Sequence, residues 1–149
     1  MKNFLFIICA VGALLTGCGE NSQATSVEIK EEKILNTIKI SVGDKNFSAR
    51  LEENPSARAF SEMLPLEIEM NELNGNEKYF YLDKDLPSNS ERVEKIHAGD
   101  LMLFGSNCVV IFYKDFSTSY SYTRLGRLEN SSGLEKILGA GNISVKFEE

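Results

Sequence analysis

Two apolar runs joined by a turn decide the fold of this chain: Leu101 to Tyr113, LMLFGSNCVVIFY. The runs flank Gly105-Ser106-Asn107, a composition that predicts a tight connection between two adjacent strands. The second run, residues 108–113, is apolar on both faces. Because such a strand has to be covered on both sides, we predict that it lies at the centre of the structure.

Other strands are predicted before and after this centre, because apolar and polar residues alternate there with a period of two. A hairpin is predicted where Gly43-Asp44 separates two alternating segments. The predicted strands are residues 38–42, 47–51, 66–70, 79–82, 101–104, 108–113, 120–128 and 143–147.

Two short helices are predicted between strands. The first has Asn54 as its N-cap and Pro55 at its first position, and Pro65 ends it. The second begins with Ser132-Gly133-Leu134-Glu135, a capping-box pattern, and ends at Gly139. Seven or eight strands with two short helices predict a mainly β protein, a closed or nearly closed barrel plugged by helices.

The amino terminus has the pattern of a lipoprotein signal peptide. Lys2 precedes an apolar run of about a dozen residues, which is too short to span a bilayer, and Leu15-Thr16-Gly17-Cys18 follows. We predict a signal peptide at residues 1–17 and lipid attachment at Cys18. The alternative is an ordinary signal peptide cleaved near a chance cysteine.

The predicted organisation places a single domain behind a tether. Residues 18–33 are polar and charged and are predicted to be flexible, and residues 34–149 suffice for one compact domain. Stable anchoring requires two or more acyl chains. We expect an exported protein anchored in the bacterial cell envelope. Gly19 favours the outer membrane if the organism has one, and otherwise we expect the outer face of the cytoplasmic membrane.

The charge of the chain disfavours nucleic acid as a partner. Lys and Arg number 16 against 22 Asp and Glu, a net charge of −6, and loss of Lys2 with the signal makes it −7. An acidic chain has little attraction for polyanions.

No cofactor or metal site is predicted. Cys108 lies in an apolar run and is expected to be a buried, unreactive thiol. His97 is the only histidine, so a zinc site lacks ligands. Residues 83–94 carry acids at three calcium-loop positions, but Pro87 and Ser88 occupy the fifth and sixth, and a solvated loop is expected at residues 83–91.

Several segments taken together resemble the compact bacterial cyclophilin-like family. They are residues 51–57, 64–66, 98–105, 109–114, 119–126, 133–134 and 139–141. The resemblance runs from Ile38 to Phe147 and implies the cyclophilin barrel of about eight strands. Cyclophilins that isomerise X–Pro bonds use an arginine beside an aromatic and aliphatic pocket. Of their characteristic Gln-Gly-Gly-Asp strand, only Gly99-Asp100 is recognisable.

Arg124 is the candidate catalytic donor if isomerase activity is present. It follows Tyr120 and Tyr122 at strand spacing, which predicts that the three side chains share a face, with Phe112 or Tyr113 beside them as ligand-binding residues. The alternative is that the tyrosines are ordinary barrel residues and Arg124 pairs with a glutamate in solvent.

Two functions therefore remain open. The first is a non-catalytic module of the cell envelope that binds a peptide, a small ligand or an envelope protein on its aromatic face. The second is a peptidyl-prolyl cis-trans isomerase that acts on exported proteins.

Overall fold

The computed structural model describes residues 36–149, and the predicted signal peptide, lipidation site and tether lie outside the described residues. The strands are β1 (Thr37–Val42), β2 (Lys45–Leu51), β3 (Leu66–Leu73), β4 (Glu77–Tyr81), β5 (Glu91–Arg92), β6 (Lys95–Ile96), β7 (Asp100–Phe104), β8 (Cys108–Phe112), β9 (Phe116–Ser117), β10 (Ser121–Leu128) and β11 (Ile143–Glu148). The helices are α1 (Pro55–Ser61) and α2 (Leu134–Leu138).

Eight of these strands form a closed antiparallel barrel. Their order is β2-β1-β11-β3-β4-β8-β7-β10, and β10 pairs with β2 to complete the ring. β5 extends one end of β10, while β6 and β9 form a separate two-stranded sheet. The prediction of a mainly β barrel with two short helices is confirmed.

The closure of the ring depends on a close approach of β10 to β2. Gly126 lies opposite Leu51, next to an irregularity in the pairing of β10 with β7. A Cβ atom on Gly126 would lie 2.4 Å from the carbonyl oxygen of Arg50. Only a residue without a side chain therefore fits at this point of the seam.

The main core fills the barrel, and the helices close it. Phe60 of α1 and Phe147 of β11 are fully buried and pack edge to face, with ring centroids 5.3 Å apart. Leu134 and Leu138 of α2 belong to the same core cluster. The predicted plugging by helices is confirmed, since both bury their apolar faces against the strands.

Strand β8 is buried on both faces, as its sequence predicts. Val109 and Ile111 point into the main core, whereas Cys108, Val110 and Phe112 belong to a second cluster outside the barrel. That outer cluster also contains Ile96, Met102 and Tyr122, with Tyr79, Val93 and Phe116 packed against it. The segments containing β6 and β9 cover this side of the sheet. Both faces of β8 are therefore removed from water, which explains why its residues are apolar on both faces.

The two helix starts differ in how well the sequence predicted them. The side chain of Asn54 accepts a hydrogen bond from the amide of Ala57 at 2.8 Å, which confirms it as the N-cap of α1. The predicted capping box at Ser132 is wrong. The cap of α2 is Gly133, which has a left-handed φ of 75° and no side-chain bond to the helix. The left-handed turn at Gly133 separates Ser132 from the helix, so the Ser132 hydroxyl does not cap α2.

The loop at residues 83–91 is exposed except at one position. Leu86 is buried in the main core, and its amide donates to the carbonyl of Ser106 at 2.7 Å. The prediction of a solvated loop is therefore confirmed for its polar residues and wrong for Leu86.

A buried ionic network lies inside the barrel. Lys78 is fully buried; its ammonium donates to Glu72 and to the carbonyl of Gly141 and lies 5.5 Å from the centroid of the Tyr113 ring. The hydroxyl of Tyr113 donates to Glu72 at 2.6 Å. Burial alone would raise the pKa of Glu72, but the bonds from Lys78 and Tyr113 outweigh it, and the net pKa is lowered.

Within residues 36–149, no helix has the length and apolar character that crossing a bilayer requires. All strands of the ring and both core clusters lie in this part of the chain, which forms one compact unit. The fragment 36–149 therefore contains a complete core and is suited to experiments in solution.

The first prediction concerns the seam of the barrel. Gly126→Ala should lower the free energy of unfolding by about 1–3 kcal/mol, because the added methyl group forces β2 and β10 apart. Urea unfolding of the fragment 36–149 measures the change. Gly43→Asn is the control: Gly43 lies in open space at a φ of 58°, which asparagine tolerates, so little change is expected. Equal stability of Gly126→Ala and wild type would contradict a tight seam.

The second prediction concerns the ionic network. Glu72→Gln should destabilise the fragment by about 3 kcal/mol at pH 7, since it leaves the Lys78 ammonium buried without its counter-charge. The double variant Glu72→Gln/Lys78→Met should recover most of that loss.

The network also predicts a pH dependence. Because the pKa of Glu72 is lowered in the folded state, its stabilising contribution is complete above pH 4.5, the ordinary pKa of the group, and is lost as pH falls through the lowered value. The gap between wild type and Glu72→Gln should therefore narrow in acid. Urea unfolding at several pH values tests this, and a gap that stays constant down to pH 2 would contradict it.

Candidate functional site

An aromatic cleft of about 530 Å³ opens on the outer face of the barrel. Its walls come from the β3–β4 turn and β4, from β7 and β8, and from the segment around β9 that leads into β10. The lining residues are Leu73, Asn74, Asn76, Glu77, Tyr79, Tyr81, Phe104, Cys108, Val110, Phe116, Ser117, Thr118, Ser119, Tyr120 and Tyr122. We refer to this site as the aromatic cleft.

The large apolar side chains that remain exposed in the described residues all line this one cleft. They are Leu73, Tyr81, Phe104 and Tyr120, with exposed fractions of 41, 58, 42 and 62 %. Single exposed apolar residues are common on protein surfaces, but a contiguous group marks an interaction site.

The rings that border the cleft form two walls, one from β4 and one from β7 and the segment that enters β10, on either side of β8. On one wall, Tyr79 and Tyr81 meet edge to face with centroids 5.8 Å apart. On the other, Phe104 lies 6.0 Å from Tyr120 and 5.6 Å from Tyr122. The first two pairs are edge to face and the Phe104–Tyr122 pair is tilted, so these rings do not stack face to face on one another.

The floor of the cleft is the outer hydrophobic cluster. Tyr122 is only 5 % exposed and packs perpendicular to the buried ring of Phe112, at 5.4 Å between centroids. Burial and the nearby charge of Glu77 raise the pKa of Tyr122 to about 12 and that of the Cys108 thiol to about 11. Both groups are therefore neutral at physiological pH, and the floor is rigid and apolar.

Two hydrogen-bond acceptors at the cleft lack partners among residues 36–149. The Glu77 carboxylate makes no side-chain hydrogen bond or ion pair there, and burial together with the charge of Glu72 raises its pKa. The amide oxygen of Asn76 is buried and accepts no hydrogen bond. The Asn76 oxygen is enclosed, whereas the Glu77 side chain is only partly buried, so the carboxylate is the acceptor that a donor on a ligand can reach.

The structure places the predicted ligand-binding residues in three environments. Tyr120 and Tyr122 line the aromatic cleft, and Phe112 lies buried beneath it. Tyr113 is on the opposite side of the sheet, where it joins the network with Glu72 and borders a shallow depression beside α2. Three of these four aromatics therefore lie in or beneath one cleft, and Tyr113 lies away from them.

Arg124 lies in a separate, polar cleft of about 330 Å³, which Tyr122 also borders. One wall of this polar cleft is the loop at residues 87–91, and another is the start of α1. The carbonyl of Arg124 accepts a hydrogen bond from Asn54 at 2.8 Å. Its guanidinium is exposed and has no ion pair with any residue from 36 to 149.

His97 and Asp100, which the sequence also singled out, take part in hydrogen bonds and ion pairs that hold the fold together. His97 is partly exposed, 3.7 Å from Asp115, and its amide donates to Asp100 at 2.8 Å. Asp100 is buried and also accepts a hydrogen bond from Arg127 at 2.8 Å. Its bond to the amide of His97 stabilises the turn before β7. Across residues 36–149, no group of three or more His, Cys, Asp or Glu side chains could hold a metal.

The sequence analysis missed one wall of the aromatic cleft. Glu77, Tyr79 and Tyr81 alternate along β4 and point outward, while Lys78 points into the barrel. The alternation was visible, but an aromatic strand is also typical of a sheet interior. Likewise, nothing in the sequence around Phe104 and Phe116 shows whether these residues line the cleft or belong to the core.

Comparison with known proteins agrees with this architecture. A sequence model of the cyclophilin-like family matches residues 40–148, and the chain therefore belongs to the cyclophilin-like family. The predicted resemblance is confirmed at the level of the cyclophilin-like family. No curated protein matches the chain.

Two solved structures share the fold. The hypothetical protein AF2241 from Archaeoglobus fulgidus is 21 % identical, with a TM-score of 0.51 over 75 % of this chain and 92 % of that one. McbB, whose structure is a complex with tryptophan, is 16 % identical, with a TM-score of 0.55 over 75 % of this chain. The match covers only 44 % of McbB. At these identities the likeness is one of fold.

Proposed function

We propose that this protein is a membrane-anchored binding module whose aromatic cleft takes a small organic ligand. The observation that carries the proposal is the clustering of Leu73, Tyr81, Phe104 and Tyr120. A soluble domain gains nothing from exposing these four side chains together unless something covers them.

The size and rigidity of the cleft support a small ligand. Its volume of about 530 Å³ lies within the range of small-molecule sites, roughly 300–1,000 Å³. Val110, Cys108 and Tyr122 are locked in the outer cluster, so binding requires little ordering of the floor. A peptide or an envelope protein, the other partners that the sequence suggested, would cover a wider surface than this cleft provides.

Isomerase activity has less support. An isomerase needs a donor such as Arg124 next to a hydrophobic cup for the proline ring. Arg124 instead lies in the polar cleft, and the nearby walls are mostly polar residues and exposed loop. Phe112 and Tyr113 are both buried.

Titration of the fragment 36–149 with aromatic small molecules tests the proposed site. Tryptophan is a useful first probe, since McbB has the same fold and is described with tryptophan bound. In nuclear magnetic resonance spectra we expect shifts confined to residues 73–81, 104, 108–110 and 116–122. Tyr120→Leu should weaken binding about tenfold, or about 1.4 kcal/mol, because a ring face is lost.

Phe47→Leu is the matched control. Phe47 lies on β2, outside the aromatic cleft, so replacing an aromatic ring by leucine there should leave binding unaltered. Shifts at distant residues, or none with any probe, would contradict the proposed site. Faster cis-trans exchange of an Ala-Pro peptide that Arg124→Ala abolishes would favour the isomerase instead.

We also propose that Cys18 carries the membrane anchor, supported by the pattern Leu15-Thr16-Gly17-Cys18. Mass spectrometry of the full chain expressed in bacteria should show cleavage before Cys18 and an acylated amino terminus. Cys18→Ala should remove both. Cys9→Ala is the control and should change neither, since Cys9 lies in the segment that is cleaved off. A mature protein with an unmodified amino terminus would contradict the anchor.

A further inference from the structure

The aromatic cleft has an unusual charge pattern. Among the cleft-lining residues that the structure describes, Glu77 is the only one with a charged side chain, and none is a lysine, arginine or histidine. The nearest buried cation, Lys78, lies on the other face of β4 and is paired with Glu72. Residues 36–149 therefore offer a ligand in the cleft one negative charge and no positive one.

The hydrogen-bonding groups of the cleft also favour a positively charged ligand. The Glu77 carboxylate is a partly buried acceptor that makes no side-chain hydrogen bond or ion pair in the described part of the chain. A donor with a positive charge would satisfy this carboxylate more strongly than a neutral donor. An anionic ligand would instead meet a carboxylate that burial has already made costly to ionise.

The rings on the walls favour a cation as well. Tyr79 and Tyr81 follow Glu77 on the same face of β4, and Phe104 and Tyr120 lie on the other wall. Aromatic faces attract ammonium groups through the ring quadrupole, more strongly when water is excluded. The same rings can pack against an apolar part of the ligand.

From this geometry we propose that the cleft is selective for organic ammonium compounds that carry an aromatic or apolar group. Glu77 binds the ammonium, and the tyrosine and phenylalanine rings bind the remainder. This inference rests on the proposed binding function and adds the chemical class of the ligand.

The test uses three probes of similar shape and different charge: tryptamine, tryptophol and indole-3-acetate. They carry an ammonium, a hydroxyl and a carboxylate on the same ring system. Titration of the fragment 36–149 at pH 7 should give about tenfold tighter binding of tryptamine than of tryptophol, with indole-3-acetate weakest. Shifts should map to the aromatic cleft.

Two variants show whether the preference comes from the cleft. Glu77→Gln should make tryptamine and tryptophol bind equally, with the affinity for tryptophol unchanged. Glu69→Gln removes the same charge from an exposed position on β3 outside the cleft, and it should retain the tenfold preference. Glu77→Gln should also fold at least as stably as wild type, because it removes a carboxylate that burial disfavours.

The outcomes separate this inference from the proposed function. Equal binding of tryptamine and tryptophol to the wild type, or a preference that survives Glu77→Gln, overturns the ammonium selectivity and leaves the binding site in place. Equal loss of preference in Glu77→Gln and Glu69→Gln also overturns it, because net charge would then be the cause. No binding of any probe overturns both proposals.

Discussion

The structure depends on the need to bury both faces of β8. Closing the barrel covers Val109 and Ile111, but Cys108, Val110 and Phe112 point outward and must also leave water. The segments around β6 and β9 fold over them and supply the outer cluster. The barrel of this protein is thus covered on one side by a second, smaller core.

The aromatic cleft is the edge of that second core. Tyr122 is buried within the outer cluster, while Phe104 and Tyr120 continue the same aromatic packing into solvent. The segments around β6 and β9 cover Tyr122 but leave Phe104 and Tyr120 exposed. A buried apolar floor and exposed aromatic walls therefore occur side by side. A site built this way is formed before the ligand arrives, which lowers the entropic cost of binding.

Neighbouring residues of β4 show how one strand serves stability and binding separately. Lys78 points inward, where Glu72, Gly141 and the Tyr113 ring satisfy its charge. Glu77 points outward and has no such partners in the described residues. The paired group stabilises the barrel, whereas the unpaired one is the kind of group that a ligand can complete.

The sequence by itself determined the barrel, because period-two alternation, the doubly apolar β8 and the Asn54 cap are local patterns with local causes. It did not determine the cap of α2, since the left-handed turn at Gly133 depends on the loop around it. Nor could it separate Tyr120 and Tyr122 from Tyr113, or find Glu77 and Tyr81. Which aromatic residue is core and which is cleft depends on where the covering segment ends, and only the tertiary structure decides that.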